Sequence, residues 1–192
     1  MITDKNKNIT EITYNQLNLP KKITFGTTGS IEYIYNAAGQ KLVKIVNENL
    51  VTTTTDYLGG FQYKDNVLAF FPTAEGYVKN TAGVLSYVYQ YKDHLGNIRL
   101  SYSLDPSTKV LKIIEENHYY PFGLKHQNYN TGRKQYGKKE DEITTLQFPG
   151  LVLPTEEKPM VYKYKFNNRE WQDELGLNTT AMDFRQYDPA PH

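Results

Sequence analysis

Short runs of alternating character, each closed by Asn or Gly, limit what this chain can fold into more than any other feature. Ile9-Thr-Glu-Ile-Thr-Tyr14, Ile31-Glu-Tyr-Ile-Tyr35, Lys41-Leu-Val-Lys-Ile-Val46, Tyr87-Val-Tyr-Gln-Tyr91 and Ile98-Arg-Leu-Ser-Tyr102 read as half-buried strands. In Met160-Val-Tyr-Lys-Tyr-Lys-Phe166 the alternation puts Val161, Lys163 and Lys165 on one face and Tyr162, Tyr164 and Phe166 on the other. No stretch sustains a helical stripe. Val110-Leu-Lys-Ile-Ile-Glu-Glu116 could pass for a helical turn, but its β-branched content favours a strand. Composition agrees, since 17 Tyr, 8 Phe and one Trp make 14% of the chain aromatic.

The punctuation between the runs suits hairpins. Asn36-Ala-Ala-Gly39, Asp65-Asn66, Asp93-His-Leu-Gly-Asn97 and Asn167-Asn168 supply residues that tolerate positive φ. The expectation is an all-β chain of about a dozen antiparallel strands, built as consecutive hairpins. It divides into a hairpin array over 1–125, an irregular loop excursion over 126–159 and a closing segment over 160–192. The excursion is rich in Lys, Gly, Asn and Glu, with Lys138-Lys-Glu-Asp-Glu142 at its centre. Leu146–Leu153 is expected to dip back to the core, with Pro149 arguing against a central strand.

The hairpins share one grammar. Tyr33-Ile-Tyr35-Asn36-Ala-Ala-Gly39-Gln-Lys41-Leu42 and Tyr89-Gln-Tyr91-Lys-Asp93-His-Leu-Gly96-Asn97-Ile-Arg99-Leu100 each have Tyr-x-Tyr, a polar turn closed by Gly, then a basic residue beside Leu. Tyr14-Asn15 opens a degenerate copy. Each unit is a strand, a tight turn and a return strand, with tyrosines stacking between neighbouring hairpins.

On these residues the chain resembles the RHS, or YD-repeat, proteins, and within them the RHS-repeat-associated core of the kind found in Bacteroidota. The resemblance runs through Tyr14–Ile23, Thr55–Tyr63, Phe70–Gly76, Tyr91–Tyr102, Glu116–His126, Lys165–Leu177 and Asp183–Pro189. It implies hairpins wound into a spiralling, hollow β-shell that encloses a variable C-terminal toxin or passenger. It also implies large secreted or cell-surface proteins whose export signal lies upstream. Arg185 matches an arginine associated with the family's self-cleaving site. The partner aspartates would lie beyond His192, so the resemblance assigns this chain no autoprotease activity.

The remaining chemistry is sparse. The formal net charge of +1 gives no electrostatic case for nucleic acid or an anionic membrane, and no window is apolar enough to span one. Cysteine is absent, which removes disulfides, thiolate zinc sites and cysteine nucleophiles. Asp93 and His94 read as an Asx-type turn with an exposed imidazole. His118 and His126, eight apart, match no zinc spacing, and His192 is terminal. No metal or cofactor is therefore expected. Glu170, Asp173 and Glu174 would suit a glycosidase, yet Asn168-Arg-Glu-Trp-Gln-Asp-Glu-Leu-Gly176 reads as a turn with a short helical piece. Trp171 and Leu175 would then pack inward while the acids face water or pair with Arg169. Asp183 and Arg185 are placed for an ion pair across one strand face. Gly132-Arg-Lys-Gln-Tyr-Gly-Lys-Lys139, followed by acids, reads as a solvated loop.

The reading that results is a non-enzymatic scaffold fragment whose partners are the rest of the parent shell or a passenger, with secretion machinery or surface glycans as further possibilities. The competing class is a cell-surface adhesion or glycan-binding module. A cage should hide its tyrosines or face them into a lumen, whereas a glycan binder should expose an aromatic cluster. An isolated slice of such a wall also carries open strand edges, which favour a bound partner or aggregation.

Overall fold

Eleven consecutive strands pair, each with its sequence neighbour, in one antiparallel sheet of the computed structural model. They are β1 (Ile9–Tyr14), β2 (Pro20–Phe25), β3 (Gly29–Tyr35), β4 (Lys41–Glu48), β5 (Val51–Leu58), β6 (Phe61–Lys64), β7 (Val67–Thr73), β8 (Gly76–Thr81), β9 (Val84–Lys92), β10 (Ile98–Leu104) and β11 (Leu111–Glu116). A hairpin of β12 (Gln135–Lys139) and β13 (Glu142–Leu146) follows. The chain closes on a small sheet of β14 (Tyr164–Phe166), β15 (Arg169–Gln172), β16 (Thr179–Ala181) and β17 (Gln186–Tyr187). The structure describes residues 2–105, 108–126, 135–139, 142–146, 162–182 and 185–189. The described residues thus hold seventeen strands, more than the expected dozen, and their only helical elements are 3₁₀ turns at Pro121–Gly123 and Glu174–Gly176. β12 and β13 fall inside the 126–159 stretch, where the sequence suggests only irregular chain. Beyond Leu146, the expected return of Gln147–Leu153 to the core lies outside the described residues.

Two kinds of turn join most strands of the large sheet. At one edge, Asn49-Leu50, Asp65-Asn66 and Ala82-Gly83 join strands by two residues that both have positive φ. That is the turn whose twist matches a right-handed hairpin. At the other edge Gly59-Gly60 joins β5 to β6 in the same way, but the β1–β2, β3–β4 and β9–β10 joints are five-residue Asx turns. Asn36 Oδ1 accepts the Ala38 and Gln40 N–H groups at 3.0 and 2.9 Å, and its carbonyl accepts the Gly39 N–H at 3.0 Å. Asn15 and Asp93 make the same set of bonds, to Leu17, Leu19 and Asn18, and to Leu95, Asn97 and Gly96. The fourth residue of each turn has positive φ: +58° at Asn18, +80° at Gly39 and +80° at Gly96. The degenerate copy at Tyr14-Asn15 is therefore a complete turn with Asn in place of Gly.

A β-bulge follows each of these turns at a fixed offset. Lys21, Leu42 and Arg99 are the extra residues in the β1–β2, β3–β4 and β9–β10 registers, each six positions after Asn15, Asn36 or Asp93 (15 + 6, 36 + 6, 93 + 6). An extra residue shifts the side-chain alternation by one, so positions three apart come to share a face. Pro20 with Ile23, Lys41 with Lys44, and Ile98 with Ser101 turn inward by this means.

Burial follows from the alternation. One core gathers Ile9, Ile12, Ile23, Phe25, Ile31, Tyr33 and Val46 from β1–β4 beneath Leu177 and Leu175. A second gathers Ala69, Phe70, Tyr77, Val88 and Ile98 from β7–β10 beneath Tyr162 and Tyr164. Each fully buried large apolar side chain contributes about 1.5–3 kcal/mol. The small sheet thus covers one face of the large sheet, and the opposite face stays open. Tyr162 and Tyr164 face the covered core as expected, with Tyr77 and Tyr162 stacked at 4.1 Å. An irregularity in the β14–β15 register separates Tyr164 from Phe166, which lies against Gly123 and Tyr119 instead.

The sheet ends are blunted. The Ile12 N–H donates to the Ile2 carbonyl and Asp4 bridges Ile9, which covers part of the β1 edge. On β11 the charged Lys112, Glu115 and Glu116 occupy the other edge strand. Both devices oppose edge-to-edge pairing.

Replacing Asn36 by Ala deletes two side-chain-to-backbone hydrogen bonds in a partly exposed turn. The expected loss is about 1 kcal/mol, or roughly 2–4 °C in the thermal midpoint measured by circular dichroism.

Candidate functional site

Between the two apolar cores lies a cluster of buried charge. The bulge at Leu42 turns Lys41 and Lys44 to the covered face, and β15 presents Glu170 and Gln172 to them by ordinary alternation. Lys44 and Glu170 are 2% and 4% exposed. Lys44 Nζ donates to Glu170 Oε1 at 2.8 Å and to Glu174 Oε1 at 2.7 Å, and Lys41 Nζ donates to Glu170 Oε2 at 2.8 Å. The Tyr57 hydroxyl donates to Glu170 Oε1 at 2.7 Å. Lys163 extends the network to Glu174 at 2.9 Å and Asp173 at 2.6 Å. Lys41 lies against the rings of Tyr33 and Tyr57, and the Tyr33 hydroxyl donates to Gln172 Oε1 at 3.0 Å.

Here the structure corrects the sequence reading. Residues 169–172 form a strand, not a helical piece, so Glu170 points inward with Gln172 and Trp171 takes the other side opposite Thr180. Glu170 and Glu174 are matched by lysines on β4 and by Lys163, and Asp173 alone is exposed. Leu175 does pack inward as expected, against the first core. The site was missed because Lys41 and Lys44 are three apart in a strand, a spacing that plain alternation assigns to opposite faces. The signal available was the repeat itself, in which a basic residue always sits at the bulge or next to it.

Burial alone would push the Glu170 carboxyl up. The charges and hydrogen bonds of Lys41 and Lys44 override it and hold the group down at about 2. Burial also raises Glu174, again outweighed by Lys44 and Lys163, so its value is lowered as well. Both groups bind fewer protons folded than unfolded at mildly acid pH. Their stabilisation is therefore complete above the ordinary glutamate value of 4.5 and disappears as pH falls through the folded value, a window from about 4.5 to about 2 for Glu170. The expected result is an acid-unfolding transition inside that window, with Glu170 contributing roughly 3 kcal/mol. A thermal midpoint flat from pH 6 to pH 3 would contradict it.

A cavity of about 470 Å³ opens beside the cluster, lined by Tyr35, Lys41, Tyr57, Tyr164, Arg169 and Arg185 among others. Arg185 sits exposed just before β17, its carbonyl accepting the Met182 N–H at 2.9 Å. Asp183, its expected ion-pair partner, lies outside the described residues, as does His192. Glu170 forms part of the cavity wall, but both of its oxygens are already engaged. A carboxylate so held is a poor general acid at neutral pH.

The histidines are dispersed. His94 is exposed in the Asx turn of Asp93, as expected. The hydrogen bonds from Asn97, Arg99 and Leu95 outweigh the effect of burial and lower the Asp93 carboxyl to about 2. His118 bonds Glu116 at 2.7 Å, and His126 stacks on Tyr120 at 3.6 Å. Among the described residues no three His, Asp or Glu side chains gather to hold a metal ion.

No family model matches the chain, and no curated protein matches it. Solved structures do. The crystal structure of TcdB2-TccC3-TEV superposes with a TM-score of 0.61 at 15% identity over 95% of this chain, and that of TcdB2-TccC3 without its hypervariable C-terminal region with 0.60 at 14%, also over 95%. Another, of TcdB2-TccC3, gives 0.60 at 14% over 95%. This chain spans only 8–9% of the length of those chains. The likeness is one of fold: the chain has an RHS-like, all-β fold of hairpin-linked strands.

Proposed function

We propose that these residues form a stretch of shell wall in a larger extracellular RHS-repeat protein, with no catalytic role, enclosing or presenting a passenger polypeptide. The observation that carries the reading is a hairpin-linked sheet of eleven strands, covered on one face by a smaller sheet and matched over nearly its whole length by TcdB2-TccC3. A wall needs a rigid, uniquely registered sheet. The bulges and the buried charge cluster supply that, because a one-residue slip of β15 would turn Glu170 away from Lys44 and strand both charges. The saturated Glu170 and the dispersed histidines support a structural assignment over a hydrolytic one. Arg185 is then a wall residue that lines the cavity.

The test uses a longer chain that carries this segment together with a downstream passenger. Under limited proteolysis the passenger should survive in the intact protein and be cut rapidly once Glu170→Ala has loosened the wall. A passenger as sensitive in the intact protein as when produced alone would sink the proposal.

A further inference from the structure

The open face of the large sheet carries a second, independent feature. With Val88 directed to the covered core, the alternate residues of β9 emerge on the open face, and they are Leu85, Tyr87, Tyr89 and Tyr91. Their exposures are 55%, 62%, 39% and 67%. Tyr102, opposite Tyr89 on β10, stacks on it at 5.6 Å with the rings 23° apart. At about 3.4 Å per residue, the three β9 rings run in line over roughly 14 Å.

We propose that this row of tyrosines is a platform for a neutral polysaccharide. Charge and ring chemistry select that class of ligand. The outward positions from Leu85 to Tyr91, and their β10 neighbours Leu100, Tyr102 and Leu104, are all uncharged. An anionic partner would find no counter-charge there, and single-stranded nucleic acid needs a cationic groove beside its stacking rings. A second sheet packed on this row would close over the rings as Tyr162 closes over Tyr77, whereas Tyr87 and Tyr91 stand largely in solvent. A sugar ring offers an apolar C–H face to the tyrosine ring and hydroxyls to its wet rim. A linear row of rings selects a linear chain of such units over a single one. This role does not depend on the shell reading, because neither the open face nor its test involves a passenger.

Affinity electrophoresis of the 192-residue chain in gels containing laminarin, galactomannan or hydroxyethylcellulose, with heparin as the polyanion, decides the matter. Retardation by at least one neutral polymer and none by heparin is expected. The double variant Tyr87→Ala/Tyr91→Ala should weaken that binding at least about tenfold with an unchanged thermal midpoint, as both rings are largely in solvent. Single Tyr87→Ser and Tyr91→Ser variants should each weaken it by a smaller factor, and Leu50→Ser, at the far edge, should leave it unchanged. Failure of every neutral polymer to retard the chain, or equal retardation of the double variant, overturns the proposal. So does self-association of the parent chain that the double variant abolishes, which would give the face to a second copy.

Discussion

Glu170→Ala is expected to destabilise the fold by about 3–5 kcal/mol, a drop of roughly 6–20 °C in thermal midpoint for a chain of this size. The cause is what remains behind. Lys44, 2% exposed, would keep only Glu174, Lys41 would lose its carboxylate, and the Tyr57 hydroxyl would face a void. Removing one partner of a buried pair costs more than the pair itself contributes, because the other charge stays desolvated. Removing every stranded charge at once should therefore rescue the fold. Lys41→Met/Lys44→Met/Glu170→Leu removes the charges together, leaves Glu174 with Lys163, and should recover most of the loss in differential scanning calorimetry. A triple variant less stable than Glu170→Ala would show that the cluster stabilises in its own right.

Gly29→Ala and Gly76→Ala should each cost about 3 kcal/mol or more, for a reason of space. A Cβ at Gly29 would lie 1.9 Å from the Asn47 carbonyl oxygen, and one at Gly76 would lie 2.1 Å from that of Val88. Both obstacles are backbone of the paired strand, so relief requires opening the β3–β4 or β8–β9 ladder rather than turning a side chain. Gly83→Ala is the matched control. Nothing lies within 4 Å of its Cβ, and its φ of +86° leaves only the strain of a left-handed alanine, about 1–2 kcal/mol. Equal midpoints for Gly29→Ala and Gly83→Ala, measured by urea unfolding, would refute the steric account.

The hairpin order was readable from the chain because its causes are local. Alternation marks a strand, and Asn36, Asp93 or Asn15 closes a turn through its own side chain, using residues no more than four positions away. Strand β11 was readable for the same reason, from Ile113 and Ile114. The inward turn of Glu170 was not, because Asp173-Glu-Leu-Gly176 resembles a helix start and only pairing of residues 169–172 with β14 and β16 makes them a strand. The hairpin of β12 and β13 was hidden by polar composition, which reads as loop whenever no apolar face accompanies it.

By itself, then, the sequence determined that this protein is a meander of hairpins, where its turns fall and that tyrosine dominates its faces. Those are consequences of backbone propensity and side-chain period, which act within a few residues. Tertiary structure alone decided which face the small sheet covers, that Lys41 and Lys44 meet Glu170 some 126 to 129 residues away, and that Tyr77 is hidden while Tyr87 and Tyr91 are open. The meeting of Lys41 and Lys44 with Glu170 turns on the one extra residue, Leu42, in β4. Tyr77 and Tyr87 instead share a ladder with no bulge and differ only in which of their faces the small sheet covers. Facing is thus settled by the bulge and by what packs across the sheet, not by the identity of the flanking residues.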